Sequence, residues 1–100
     1  MLDIKIEKRC KNDIERDKVG GKYSKLDFEI LKNIIINLQE EKSIDPIYKR
    51  HNLKGNFNGY EVIHVKNDWL LIFKIDIDRQ FLLLVALGTH NQVFKNCINI

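Results

Sequence analysis

Histidine has an ordinary pKa of ~6.5, so it can take up and release protons near neutrality. This chain has three, His51, His64 and His90, and a carboxylate, Asp68, follows the second. All three lie where a side chain can reach a surface: His51 in a long polar segment, His64 near the end of a strand-like run, and His90 just beyond the last such run. A rigid sheet commonly supports catalytic groups at such loop and strand-end positions. The set could bind a divalent metal or could run acid and base catalysis without one, and spacing alone separates these poorly. Compact metal signatures, such as two histidines four apart on one helix, are absent, so a metal would need ligands from four separate segments. Proton transfer is the preferred reading, and three scattered surface histidines the plain alternative. A histidine pair flanking an RNA phosphodiester could act as general base and acid. The 2′-hydroxyl is an internal nucleophile, so the protein need only remove one proton, stabilise negative charge and protonate the leaving oxygen.

Lys49, Arg50 and Lys54 surround His51 and could hold phosphates electrostatically. Trp69 and Phe94 could stack on bases, as aromatics do in RNA readers. Trp69 opens an apolar run, which favours a core role, while Phe94 is balanced between the two.

The elements that must position these groups can be read from periodicity. Leu2, Ile4 and Ile6 alternate with charged residues as in a half-buried strand. Residues 7–19 suit a helix with Cys10 and Ile14 as its buried stripe, ended by Gly20-Gly21. A second helix follows, capped by Ser24 with Asp27 three residues on, its apolar face formed by Leu31, Ile34, Ile35 and Leu38, and it runs to about Lys42. Pro46, Gly55 and Asn58-Gly59 mark residues 43–59 as irregular. Three strand-like runs follow at 60–65, 69–75 and 80–87, separated by short polar breaks that suit antiparallel hairpins. The last two are apolar on both faces, as central strands covered by something would be. A short tail containing Phe94 ends the reading. The order β-α-α-β-β-β predicts a single α+β domain over residues 1–100, with two N-terminal helices packed on a small antiparallel sheet.

A chain that is 44% hydrophobic and 31% charged is a folded domain rather than a disordered segment. No apolar run approaches the ~20 residues of a spanning helix and the start lacks a secretory pattern, so a cytoplasmic protein with no membrane partner is expected. Cys10 and Cys97 have neither metal-ligand nor disulfide-framework spacing and read as reduced thiols. A net charge of +3 favours a polyanionic partner without identifying one. Lys5, Lys8, Arg9, Lys11, Arg16, Lys18, Lys22 and Lys25 crowd the first quarter, which a solvated helix face explains, the preferred reading, with RNA binding as the alternative.

From Tyr48 to Phe94 the chain reads Y-K-R-H-N-L-K-G, then G-Y-E-V-I-H-V-K-N-D-W-L-L-I-F-K-I, then L-G-T-H-N-Q-V-F. In order, spacing and residue type these stretches resemble the YafQ-like toxins of the RelE/ParE superfamily, whose pattern is roughly Y-x-x-H-x-L-x-G, G-x-x-x-x-H-x-x-x-D-W-L-L-I-Y-K-I and G-T-H-x-x-L-F. The resemblance implies a RelE-like fold and a metal-independent endoribonuclease with no cofactor, which enters the ribosomal A site and cuts messenger RNA there. It also implies a cognate antitoxin as partner in a heteromeric complex. His51, His64, Asp68, His90 and Phe94 match the family's functional positions. By analogy His51 would be general base and His90 general acid, with the two labels exchangeable. His64 and Asp68 would orient substrate or stabilise charge, and Phe94 would position a base.

Two departures from the pattern bear on activity. Ala86 stands where many relatives carry arginine, and Tyr60-Glu61 puts a negative charge where they carry a positive one. Lys54 or Lys66 could compensate, but loss of a charge contact to the transition state commonly costs ~10²-fold or more. A weakened enzyme is therefore one expectation. A non-enzymatic toxin on the same fold, a gyrase poison or a chain that only binds its antitoxin, is the alternative, since fold does not fix function.

Overall fold

Ser24 starts the longest helix as expected: its hydroxyl accepts from the Asp27 N–H while the Asp27 carboxylate accepts from the Ser24 N–H, so two otherwise orphaned donors are satisfied reciprocally. In the computed structural model, which describes the backbone of residues 1–97 and the side chains of residues 1–94, the order is β1 (Asp3–Ile6), α1 (Lys8–Gly20), α2 (Lys25–Gln39), a 3-10 turn (Pro46–Tyr48), β2 (His51–Asn52), a second 3-10 turn (Gly55–Phe57), β3 (Glu61–Lys66), β4 (Trp69–Asp76), β5 (Phe81–Gly88) and α3 (His90–Cys97). The five strands form one sheet in the order β1-β5-β4-β3-β2.

The α+β architecture is the expected one, with three differences in detail. The sheet is mixed at one edge, because β1 runs parallel to β5, with Ile4 opposite Leu82. A parallel pair needs a long crossover, and the helices and hairpins between these two strands supply it. The irregular segment contributes the two-residue strand β2, which pairs with β3 and carries His51 opposite Val62. Beyond β5 the chain forms α3 rather than a loose tail.

Alternation along the strands sorts side chains into two apolar layers. Leu31, Ile34 and Leu38 of α2 and Cys10 of α1 pack with Ile63, Leu71, Phe73, Leu82 and Leu84 on one face. Val62, Leu70, Ile72 and Ala86 face the other way and are covered by Val93 of α3, with Leu53, Tyr60 and Phe94 at the margin. Ile35, expected on the buried stripe of α2, is half-buried. Ile4 remains 37% exposed, because an edge strand has a neighbour on one side only. The thiol of Cys10 lies in the core, where burial and the nearby Asp13 carboxylate push it up to about 12 and keep it protonated; the Cys97 side chain lies outside the described residues. No helix among the described residues is long and apolar enough to cross a membrane.

A β-bulge alters β5. Ile72 pairs with Ala86 but Phe73 pairs with Leu84, which leaves Val85 as an extra residue. Val85 and Ala86 therefore both face the second layer, while Leu87 returns to the first. The Leu87 N–H donates to the buried Asp13 carboxylate at 3.0 Å and its carbonyl accepts from Arg16 Nη2 at 2.8 Å. Asp17, also buried, accepts from Trp69 Nε1 at 2.9 Å and from Arg16. Thus α1, whose apolar stripe is thin, docks largely through an Asp-Arg-Asp set that fixes the ends of β4 and β5.

Candidate active site

His64 points from β3 to the α3 side of the sheet, since its neighbours Ile63 and Val65 point into the opposite layer. It occupies the centre of a histidine row. Its ring centroid lies 5.8 Å from that of His51 on β2 and 5.6 Å from that of His90 at the start of α3.

Each outer histidine is held by its Nδ1. The His51 Nδ1 is 2.8 Å from the Lys49 carbonyl, which can only accept, so the proton of a neutral ring sits there and Nε2 keeps its lone pair. The Lys49 backbone is left-handed, φ 50°, where it closes the Pro46–Tyr48 turn, and this turns its carbonyl toward His51. His90 is bound twice by Asp68, whose Oδ1 accepts from the His90 N–H at 2.8 Å and from the ring Nδ1. The backbone bond, then the ring, hold the Asp68 carboxyl below the usual carboxylate range. His64 is pushed the other way: burial first, then the fields of His90, His51 and Lys49, lower its pKa, against a hydrogen bond to the Asn67 backbone. One half-buried imidazole, its charged form disfavoured, thus lies between two exposed ones.

The start of α3 is fixed by a second capping box. Thr89 Oγ1 accepts from the Gln92 N–H at 3.2 Å and Gln92 Oε1 accepts from the Thr89 N–H at 2.9 Å. Gly88 allows this close turn, because a Cβ there would stand 2.7 Å from Gln92 Oε1 and 2.9 Å from Arg16 Nη2. The Thr89-His90-Asn91-Gln92 spacing was the sequence signal for this helix.

The Phe94 ring packs on the second apolar layer and stands 6.1 Å from the His90 ring. Trp69 is core, fully buried and stacked on Tyr23 at 4.0 Å. The cations divide. Lys49 and Lys54 are exposed on the segment carrying His51. Arg50 is not brought to the site: it crosses to the helix side of the sheet, bonds Glu61 through two nitrogens at 2.8 and 3.2 Å and lies over Phe73. The same pair neutralises Glu61. Lys66 reaches Asp27 at 3.2 Å. Ala86 is fully buried in the second layer. Sequence reasoning missed Asp13, Arg16 and Asp17, for which the only signal was acid-base spacing on a helix short of apolar residues. It also missed Tyr48 and Asn67, which with Lys49, His64 and Lys66 line a cleft of about 290 Å³ beside the row.

Among the described residues, no three His, Cys, Asp or Glu side chains stand close enough to share a metal ion. The row sets a ring-nitrogen lone pair on one side, a carboxylate-bonded imidazole on the other and a half-buried imidazole between, the kinds of group that proton transfer would need.

The mRNA interferase toxin YafQ of Escherichia coli K12 is 32% identical, the alignment covering 81% of this chain and 98% of that protein. Among solved structures, a metal-bound toxin from Helicobacter pylori superposes with a TM-score of 0.83 at 32% identity, covering 94% of this chain and 100% of that one. The toxin in the E. coli DinJ-YafQ complex superposes with a TM-score of 0.80 at 27% identity, over 94% and 99%. The family described as the YafQ bacterial toxin of type II toxin-antitoxin systems matches residues 2–95. Fold, motif order and a match across nearly the whole length agree, and the chain belongs to the YafQ family of bacterial type II toxins.

Proposed function

We propose that this chain is a messenger-RNA endoribonuclease that acts in the ribosomal A site and is silenced by an antitoxin. The observation that carries the reading is the row itself, with His64 within 5.8 Å of His51 and 5.6 Å of His90 and with Asp68 bonded to His90. His51 Nε2 takes the proton of the 2′-hydroxyl as its oxygen attacks phosphorus. The bond to the 5′-oxygen breaks, and His90, whose imidazolium Asp68 stabilises, gives that oxygen a proton. The products are a 2′,3′-cyclic phosphate and a 5′-hydroxyl. His64 orients the phosphate between His51 and His90, and Phe94 stacks against a base. Lys49, Lys54 and Lys66 supply the electrostatic attraction for the strand.

The mRNA interferase name of the E. coli relative supports the substrate, and the DinJ-YafQ complex supports an antitoxin partner in a heteromeric assembly. Ala86 favours a slower enzyme than relatives carrying arginine there, since a buried methyl group offers the transition state no charge.

Primer extension on a defined message, with and without ribosomes, tests the reading. Wild type is expected to cut within codons only when ribosomes are present, and His90→Ala to lose about 10²- to 10⁴-fold, the usual contribution of a general acid. No cleavage by folded wild-type protein would shift the reading to a non-enzymatic toxin. Toxicity that survives His90→Ala would place the target elsewhere, gyrase included.

A further inference from the structure

The cleft of about 290 Å³ beside the histidine row has a composition that proton transfer does not explain. It lies between the Pro46–Tyr48 turn and the end of β3, with His64 on one wall. Its lining holds Lys49 and Lys66, the latter with its ammonium on Asp27, and no carboxylate. Asn67 is an exposed lining residue whose side-chain amide has both donors and an acceptor, the complement of a base edge. Tyr48 is half-buried and packed against the main core, so its ring is held in place before anything binds. Ile47 is 71% exposed at the rim, an apolar side chain that the fold itself does not use. Pro46 and the bond from the Ile47 N–H to Asp45 fix it there. The volume is at the lower limit of small-molecule sites, ~300–1,000 Å³, and suits one nucleotide rather than several. Lys49 joins cleft to histidine row, since it lines the cleft and its carbonyl holds the His51 ring.

From these features we infer that the cleft is a base-binding subsite, which takes the single nucleotide adjoining the scissile phosphate and reads its edge through Asn67. The inference rests on the nuclease reading for its place in a reaction, but binding can be measured without cleavage. Stacking against Tyr48 and Ile47 would be tolerant of base identity, as stacking on apolar faces is. Hydrogen bonding to Asn67 would discriminate. The cleft therefore makes sequence preference a property of the β3-β4 turn, separable from the histidines that move protons.

The test is an NMR titration of the full chain with a dinucleotide whose 2′-hydroxyl is methylated, so that it cannot be cut. The same dinucleotide lacking one base and inorganic phosphate serve as the comparison probes. The Tyr48 ring and the Asn67 side-chain amide are expected to shift with the intact dinucleotide and to stay fixed with the other two. Shifts confined to His51 and His90, or equal shifts with phosphate alone, overturn the subsite. So do shifts produced only by an antitoxin, which would make the cleft a protein-docking groove. In the ribosome assay, Asn67→Ala is expected to change the ratio of cutting rates among the four bases at one position by about tenfold, leaving the ratios at other positions in place. Unchanged ratios at every position count against it. A wild-type chain that cuts nothing defeats the nuclease reading alone, and the titration still decides the cleft.

Discussion

His64 shows how much of an imidazole's behaviour is set by its neighbours. Burial disfavours its charged form, and two histidines and Lys49 add fields of the same sign. In the unfolded chain this ring takes a proton near ~6.5, whereas in the fold it does so at lower pH. Its contribution to stability is therefore present above the unfolded value and is lost as pH falls through the folded one. Following the ring carbons by NMR should place His64 below an unperturbed histidine, and His90→Ala should move it back up by removing the source of one of these fields. A titration unchanged in that variant would mean that His90 does not act on His64. At this scale the sequence was informative about identity and silent about state. His51, His64, Asp68 and His90 could be chosen by type and position, yet nothing in the chain gave the order in which they adjoin. Arg50 is the counterexample: it follows Lys49 and precedes His51 in sequence, but the β pleat sends it to the other face of the sheet, where Glu61 holds it.

The strands and two large helices were legible because their side chains repeat with the right period, and the Ser24-Asp27 box fixed the start of α2. The bulge at Val85 was not, since β5 is apolar on both faces and an extra residue leaves such a pattern unchanged. The bulge nonetheless determines where His90 goes. It frees the Leu87 N–H from the ladder, Asp13 accepts it, and Arg16 holds the Leu87 carbonyl just ahead of Gly88 and Thr89. Asp17 performs the matching task on Trp69, the residue after Asp68. One helix thus anchors both halves of the Asp68-His90 pair. Asp13→Ala leaves a buried N–H unsatisfied and takes one of Arg16's two carboxylates. It should destabilise the fold by about 2–3 kcal/mol, less than a wholly buried pair because Arg16 is partly exposed. Urea unfolding measures this, and Asp13→Asn, which keeps an acceptor for Leu87, should lose less. Equal loss in the two variants would assign the cost to the charge rather than to the bulge.

Taken as one body, the molecule places its histidine row on the thinner of its two apolar layers. Two long helices cover one face of the sheet, but the face behind the histidines is closed by α3 and the segment around Leu53 and Tyr60. Val93 is the side chain of α3 buried completely in that layer, and His90 lies one turn before it. Whole-chain stability and site geometry should therefore respond to different parts of the protein. Val93→Ala removes two methyl groups from a packed site, a loss of about 1.5–3 kcal/mol if α3 stays docked. Local release of α3 offers a route that costs less, because the larger layer on the other face does not depend on it. Hydrogen exchange is expected to show the amides of α3 losing protection in Val93→Ala while those of β4 and β5 keep theirs, with the proposed cleavage falling more steeply than global stability. If α3 and the central strands lose protection together, the thin layer is part of a single cooperative unit, and His90 is held as firmly as the core itself.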